Sequence, residues 1–127
     1  MEITFPGGVA VEARHKGFTV RTDQPESQGG GNTAPSPFDL FLVSLGTCAG
    51  FFALRFCQQR QIDTAGLRLT LESTRDEAAH RLETVRIVLH LPAGFPAKYH
   101  AAILKATDQC AVKRAIDDPP RFEVLLA

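Results

Sequence analysis

The chain has 127 residues, 44% of them hydrophobic, with Lys plus Arg and Asp plus Glu at 14 each, which fits one globular domain over residues 1–127. Balanced charge without long runs of one sign leaves no field to draw in nucleic acid or an anionic membrane, so neither is expected as a partner. The start, MEITFPGG, has no basic stretch followed by an apolar run, and three cysteines without close pairing match neither a disulfide framework nor a zinc motif. A cytoplasmic protein without metal or cofactor is expected.

Residues 2–5 and 9–13 alternate as short strands do, with Pro6-Gly7-Gly8 as the turn between them. His15-Lys16-Gly17 makes a second turn, and Phe18-Thr19-Val20-Arg21-Thr22 reads as a third strand. From Asp23 to Ser36 the composition shifts to Gly, Pro, Ser, Gln and Asn. This is a long loop, whose glycines either let backbone approach a ligand or serve a plain connection.

A helix start follows: Ser36 as N-cap, Pro37 at the first helical position, and Asp39 in the first turn, where a negative charge suits the positive helix end. From Phe38 to Cys57 the only charges are Asp39 and Arg55, so this helix is expected to be buried on every face. Roughly 20 apolar residues also approach the length of a membrane span. The two charges and the set Ser44, Gly46, Thr47 and Gly50 favour a central helix wrapped by sheet, by a second helix or by another subunit. One small domain does not easily cover such a helix, which points to an oligomer.

Gln58 to Gly66 is a polar connection, and Leu67 to Ser73 alternates strictly as a half-buried strand. Thr74 to Arg81 reads as an exposed hairpin tip, and Leu82 to Leu91 as the returning strand, with His90 on its outer face. Pro96 opens a second helix over Ala97 to Thr107, continued past Cys110 to Ile116. Asp117-Asp118-Pro119-Pro120 ends it, and Phe122 to Leu126 is expected as a last strand. The order βββ-α-ββ-α-β argues an α+β domain with a mostly antiparallel sheet.

Cys48 sits mid-helix in Gly46-Thr47-Cys48-Ala49-Gly50. Small neighbours leave room for another chain segment or a substrate at a reactive thiol, while a free cysteine equally serves as a small buried hydrophobe. Cys57 lies nine residues on, on the opposite side at about 100° per residue, and is read as structural. Cys110, if it begins a helix, gains thiolate character from the helix end and from Lys113 or Arg114.

The segment Ala34-Pro35-Ser36-Pro37-Phe38-Asp39-Leu40 through Leu45-Gly46-Thr47-Cys48, a β-hairpin, and then Cys110-Ala111-Val112 on a late helix together resemble the OsmC/Ohr family, in its OsmC-like branch with the YhfA-type proteins. The resemblance covers nearly the whole chain. It implies an intertwined homodimer with the long helices at its centre, and thiol-dependent reduction of organic hydroperoxides, for which Phe41, Phe51 and Phe52 near Cys48 point to small apolar ones. In that scheme Cys48 attacks, Cys110 resolves, and an external dithiol regenerates the pair. It also implies an arginine from the N-terminal strands that holds the thiolate, with Arg21 as first candidate and Arg14 as second, and a carboxylate in the first helical turn. The family's reductases carry that carboxylate ten positions before the cysteine, which is Phe38 here; Asp39 stands at nine and faces away on an ideal helix, which favours capping.

Two function classes follow. One is the cysteine-based peroxidase of stress protection, with Cys48, Cys110, Arg21 and Asp39 as its residues. The alternative is a dimeric binding module that carries a small apolar or electrophilic ligand without turnover. A metal held by Cys48 with His100 or His15 is a distant third, since no spacing fixes their geometry.

Overall fold

The computed structural model describes all 127 residues. Two compact units divide the chain, Met1–Val43 and Ser44–Ala127. In the first, β1 (Glu2–Gly7), β2 (Ala10–His15) and β3 (Phe18–Thr22) form an antiparallel meander in that order. His15 pairs with Phe18 across the two-residue turn Lys16-Gly17, whose φ values of 49° and 82° are both positive. That is the turn whose twist suits a hairpin, and Gly17 adopts it without steric cost.

The register sorts the side chains. Ile3 pairs with Ala13, which pairs with Val20, so Ile3, Phe5, Val11, Ala13, Phe18 and Val20 share one face. Glu12, Arg14 and Arg21 lie on the other. Ile3, Phe5, Phe18 and Val20 are exposed, so an apolar sheet face stands uncovered within this unit.

The loop that follows is built around Asp23. Its buried carboxylate accepts from the backbone N–H of Gln24 (2.8 Å), Gly31 (3.1 Å) and Thr33 (3.0 Å) and from the Thr33 hydroxyl (2.7 Å). These donors, the Thr33 backbone N–H foremost, pull the Asp23 carboxyl down to about 2. At Gly30 a Cβ would stand 1.8 Å from the Gln24 carbonyl oxygen. Of the two readings of this glycine run, the connector's packing accounts for Gly30.

Helix α1 (Pro37–Gln58) begins as its sequence promises. The Ser36 hydroxyl accepts from the Asp39 N–H (3.2 Å), while the Asp39 carboxylate accepts from the Ser36 N–H (2.9 Å) and hydroxyl (2.7 Å), a reciprocal cap. Its end is also closed by the backbone. Gln61, at φ 55°, donates to the Gln58 carbonyl and Ile62 to that of Cys57 (3.0 Å), with Ile62 folded onto the core.

In the second unit, β4 (Arg68–Asp76) and β5 (Arg81–His90) form an antiparallel hairpin. Thr74, Arg75 and Asp76, expected in the tip, belong to β4, so the tip shrinks to residues 77–80 and His80 takes positive φ. Leu71 and Leu69 lie against Gly46 and Gly50 of α1, with the leucine methyls 3.7 and 3.9 Å from where a Cβ would stand. The expected second helix starts as a short 3-10 turn (Ala97–Tyr99), continues as α2 (His100–Thr107), and breaks before α3 (Ala111–Asp117). Phe56, Cys57 and Ile103 centre the core, surrounded by Ile62, Leu67, Leu89, Leu91, Phe95, Tyr99 and Ala106.

Two expectations are corrected. Phe122 to Leu126 forms no strand: past α3 the chain pairs with no sheet edge, and Phe122, Val124, Leu125 and Leu126 are exposed. The sheet is two sheets, of three strands and two. In one copy α1 is buried only along Leu45, Ala49, Ala53, Phe56 and Cys57, while Val43, Phe51 and Leu54 are open.

Candidate functional site

Cys48 and Cys110 meet in the second unit. Cys110 is the N-cap of α3: its sulfur accepts from the Lys113 N–H (3.4 Å) while its S–H points to the Leu45 carbonyl (3.9 Å), one turn before Cys48 on α1. The Cys110 thiol and the Cys48 sulfur are also close enough to influence each other's ionisation. Thus the two sulfurs, 62 positions apart in sequence, are neighbours because α3 restarts at Cys110 beside the middle of α1.

The two thiols are poised oppositely. Partial burial works against ionising Cys48, but the backbone N–H of Val112, the Cys110 S–H, the backbone N–H of Ala111 and the Arg114 charge outweigh it and hold its pKa below the ordinary thiol value. Cys110, only 2% exposed, is pushed up by burial and by the Cys48 sulfur beside it. The expectation that the start of α3 makes Cys110 the thiolate is therefore reversed: the N–H groups and the Arg114 charge act on Cys48. Lys113 is paired with Asp108.

The small residues around Cys48 also have another role than expected. Gly46 and Gly50, two positions to either side, lie on the opposite face and admit the leucines of β4. Cys57 is fully buried in the core, and burial raises its pKa, as suits a packing thiol. Asp39 is a capping residue, its carboxyl lowered by the Ser36 hydroxyl and N–H. Arg21 stands exposed on β3 opposite Glu12, and Arg14 pairs with Glu12 at 3.3 Å. His90 accepts from or donates to the Thr70 hydroxyl at 3.0 Å. No group of three or more His, Cys, Asp or Glu is arranged to hold a metal ion.

Arg114 and the N–H groups of Ala111 and Val112 are the functional groups missed from sequence as partners of Cys48. The readable signal was the basic pair Lys113-Arg114 just past Cys110. Its target required the fold.

A family model for OsmC-like proteins matches residues 29–125, which span both cysteines. The chain belongs to the OsmC-like protein family. Among solved structures, this OsmC-like chain is similar to an osmotic stress induced and detoxification response protein of Psychrobacter arcticus 273-4, with a TM-score of 0.77 and 22% identity over 90% of this chain and 85% of that one. It is also similar to an organic hydroperoxide resistance protein OsmC of Legionella pneumophila, with a TM-score of 0.61 and 17% identity over 91% and 85%. These likenesses establish the α+β OsmC-like fold. The comparison with curated proteins found no match.

Proposed function

We propose that this chain is a cysteine-dependent peroxidase that reduces organic hydroperoxides in stress protection. The observation that carries the reading is the pair of adjacent, oppositely poised thiols. Membership in the OsmC-like family supports a redox role, and the Legionella relative is described as an organic hydroperoxide resistance protein.

The Cys48 thiolate attacks the outer peroxide oxygen. The O–O bond breaks, an alkoxide leaves and is protonated to the alcohol, and Cys48 becomes a sulfenic acid. The Cys110 thiol condenses with it, releasing water and forming a disulfide, and an external dithiol then exchanges with that disulfide to restore both thiols. The asymmetry fits the order of events, because the attacking sulfur must be ionised first while the resolving sulfur needs to remain a thiol until the oxygen has transferred.

A homodimer and a cytoplasmic location are part of the proposal. The open apolar face of the β1–β3 sheet in one unit, and Leu54 of α1 and the exposed residues Phe122 and Val124 to Leu126 in the other, are apolar surfaces for a second copy to cover. Helix α1 is long and apolar enough to cross a membrane, with a mean hydropathy of 1.8, but Leu69 and Leu71 of β4 pack on it and Phe56 and Cys57 enter the core. We read it as a core helix. Arg21 remains the residue the resemblance nominates for supporting the thiolate, and Arg21→Gln tests it by turnover.

A second reading, a binding protein without turnover, is favoured by one observation: Asp39 is committed to its cap and Phe38 stands where the family's reductases carry a carboxylate. A slight excess of cumene hydroperoxide separates the two. The peroxidase loses two thiols per chain and about 2 Da, mapping to Cys48 and Cys110, faster than with hydrogen peroxide. Cys48→Ser abolishes turnover and Cys110→Ser stops at the sulfenic acid. Unchanged thiols, or full activity in Cys48→Ser, would sink the peroxidase reading and leave the binding protein.

A further inference from the structure

Beyond the thiol pair, α1 and α2 enclose an open pocket of about 500 Å³, lined by Phe51, Phe52, Phe56, Ala102 and Ala106 and by Arg55, Arg60, Lys105, Gln59 and Gln109. The volume lies within the usual range of small-molecule sites, about 300–1,000 Å³. The lining is of two kinds. Three phenylalanines and two alanines supply apolar surface, and three cations line it with them without a single carboxylate. The nearest acid along α2, Asp108, is already paired with Lys113.

The cations are positioned rather than merely present. Arg60 is anchored, its guanidinium 3.8 Å above the Phe56 ring and donating to the Phe56 carbonyl at 3.3 Å, which leaves further N–H donors for another partner. Arg55 and Lys105 reach from the two helices that form the walls. The only bond of the Arg55 guanidinium is a long one of 3.5 Å to Gln58, and its planar fork suits a carboxylate.

An apolar lining whose only charges are cationic is complementary to one kind of molecule. We propose that this pocket binds an amphiphilic anion, an unbranched apolar chain ending in a carboxylate, with the chain on Phe51, Phe52 and Phe56 and the carboxylate between Arg55 and Lys105. The site is separate from the thiols: Arg55 lies two turns beyond Cys48, about 10 Å along the helix. The stripe Cys48, Phe52, Arg55, Gln59 shows that both occupy one side of α1. Binding therefore does not depend on peroxidase activity.

Isothermal titration of the full chain with dodecanoate, dodecanol and dodecyltrimethylammonium, all below micellar concentrations, tests this. Dodecanoate is expected to bind saturably at one per chain, and equally well in Cys48→Ser, which keeps the outcome independent of the thiol reading. The double variant Arg55→Glu with Lys105→Glu is expected to weaken it by about tenfold or more, since two charge-assisted contacts are lost. Ala102→Trp, which fills the pocket without touching the charges, is expected to abolish binding. Circular dichroism establishes that each variant is folded. Dodecanol or the ammonium binding as tightly as dodecanoate, unchanged binding in both variants, or no saturable binding because a second copy fills the pocket, overturns the proposal.

Discussion

Arg114→Glu tests how Cys48 is activated. Arg114 is exposed on α3, and its charge is one of the influences that lower the Cys48 pKa. An exposed charge contributes about 0.2–1 kcal/mol to such an interaction, so reversing it shifts the balance by about twice that, 0.4–2 kcal/mol. Below the midpoint of titration the thiolate fraction then falls by about 2- to 30-fold. A more basic thiolate is also a better nucleophile, with a Brønsted coefficient of about 0.4–0.5, so the net alkylation rate falls only about 1.4- to 8-fold. The assay is iodoacetamide labelling against pH, with Cys48 followed by peptide mass at low salt. The midpoint moves to higher pH in Arg114→Glu, and 0.5 M salt removes much of the difference. Lys113→Glu makes the same charge change one residue away, on a side chain engaged with Asp108. If Lys113→Glu moves the midpoint as far, or Arg114→Glu does not move it, Arg114 is not the cation that serves Cys48.

Asp23 gives a pH signature: its folded pKa of about 2 lies below the ordinary carboxylate value, so its contribution to stability is present above about pH 4 and is lost as the pH falls to 2. In urea melts the advantage of the wild type over Asp23→Asn shrinks across that window. Gly30→Ala must open a contact of 1.8 Å to at least 3.0 Å against backbone. That breaks the bonds from Gly30 to Pro25 and from Asn32 to Gln24, both 3.1 Å, and is expected to cost about 2 kcal/mol at about 1 per bond. Ile103→Ala, at the fully buried centre of the core, is expected to cost about 2–5 kcal/mol in the same melts, and a loss below 1 would mean that the site repacks.

What was legible in the sequence was local. Ser36, Pro37 and Asp39 specify a helix start through bonds within four residues, and the same bonds are present in the structure. Lys16-Gly17 specifies a tight turn for the same reason. Phe122 to Leu126 has strand composition, but a strand needs an edge, and an edge is a property of some other segment or chain. The wrong face for Gly46 and Gly50 came from treating neighbours in sequence as neighbours in space; two residues along a helix is slightly more than a half-turn. Arg114 was seen as a cation near a cysteine and assigned to the nearer one.

That last error shows how the site is built. A helix end beside two sulfurs stabilises only one anion, because two thiolates in contact repel. Which one is decided by where the donors point. Cys110, as the cap, spends its sulfur on the Lys113 N–H and keeps one S–H proton, which serves either the Leu45 carbonyl, 3.9 Å away, or the Cys48 sulfur. Cys48 is the sulfur whose ionised form the Val112 and Ala111 N–H groups and the Cys110 thiol favour. The cap residue is thereby made the proton-bearing partner and the mid-helix residue the anion. A Cys110→Ser variant retains the capping geometry and a donor toward Cys48 while removing the sulfur. Cys48 is therefore expected to stay reactive in labelling even though no disulfide can form. A Cys110→Ala variant, which removes both cap and donor, is expected to slow it. Equal labelling rates in the two variants would mean that Cys110 resolves Cys48 without activating it.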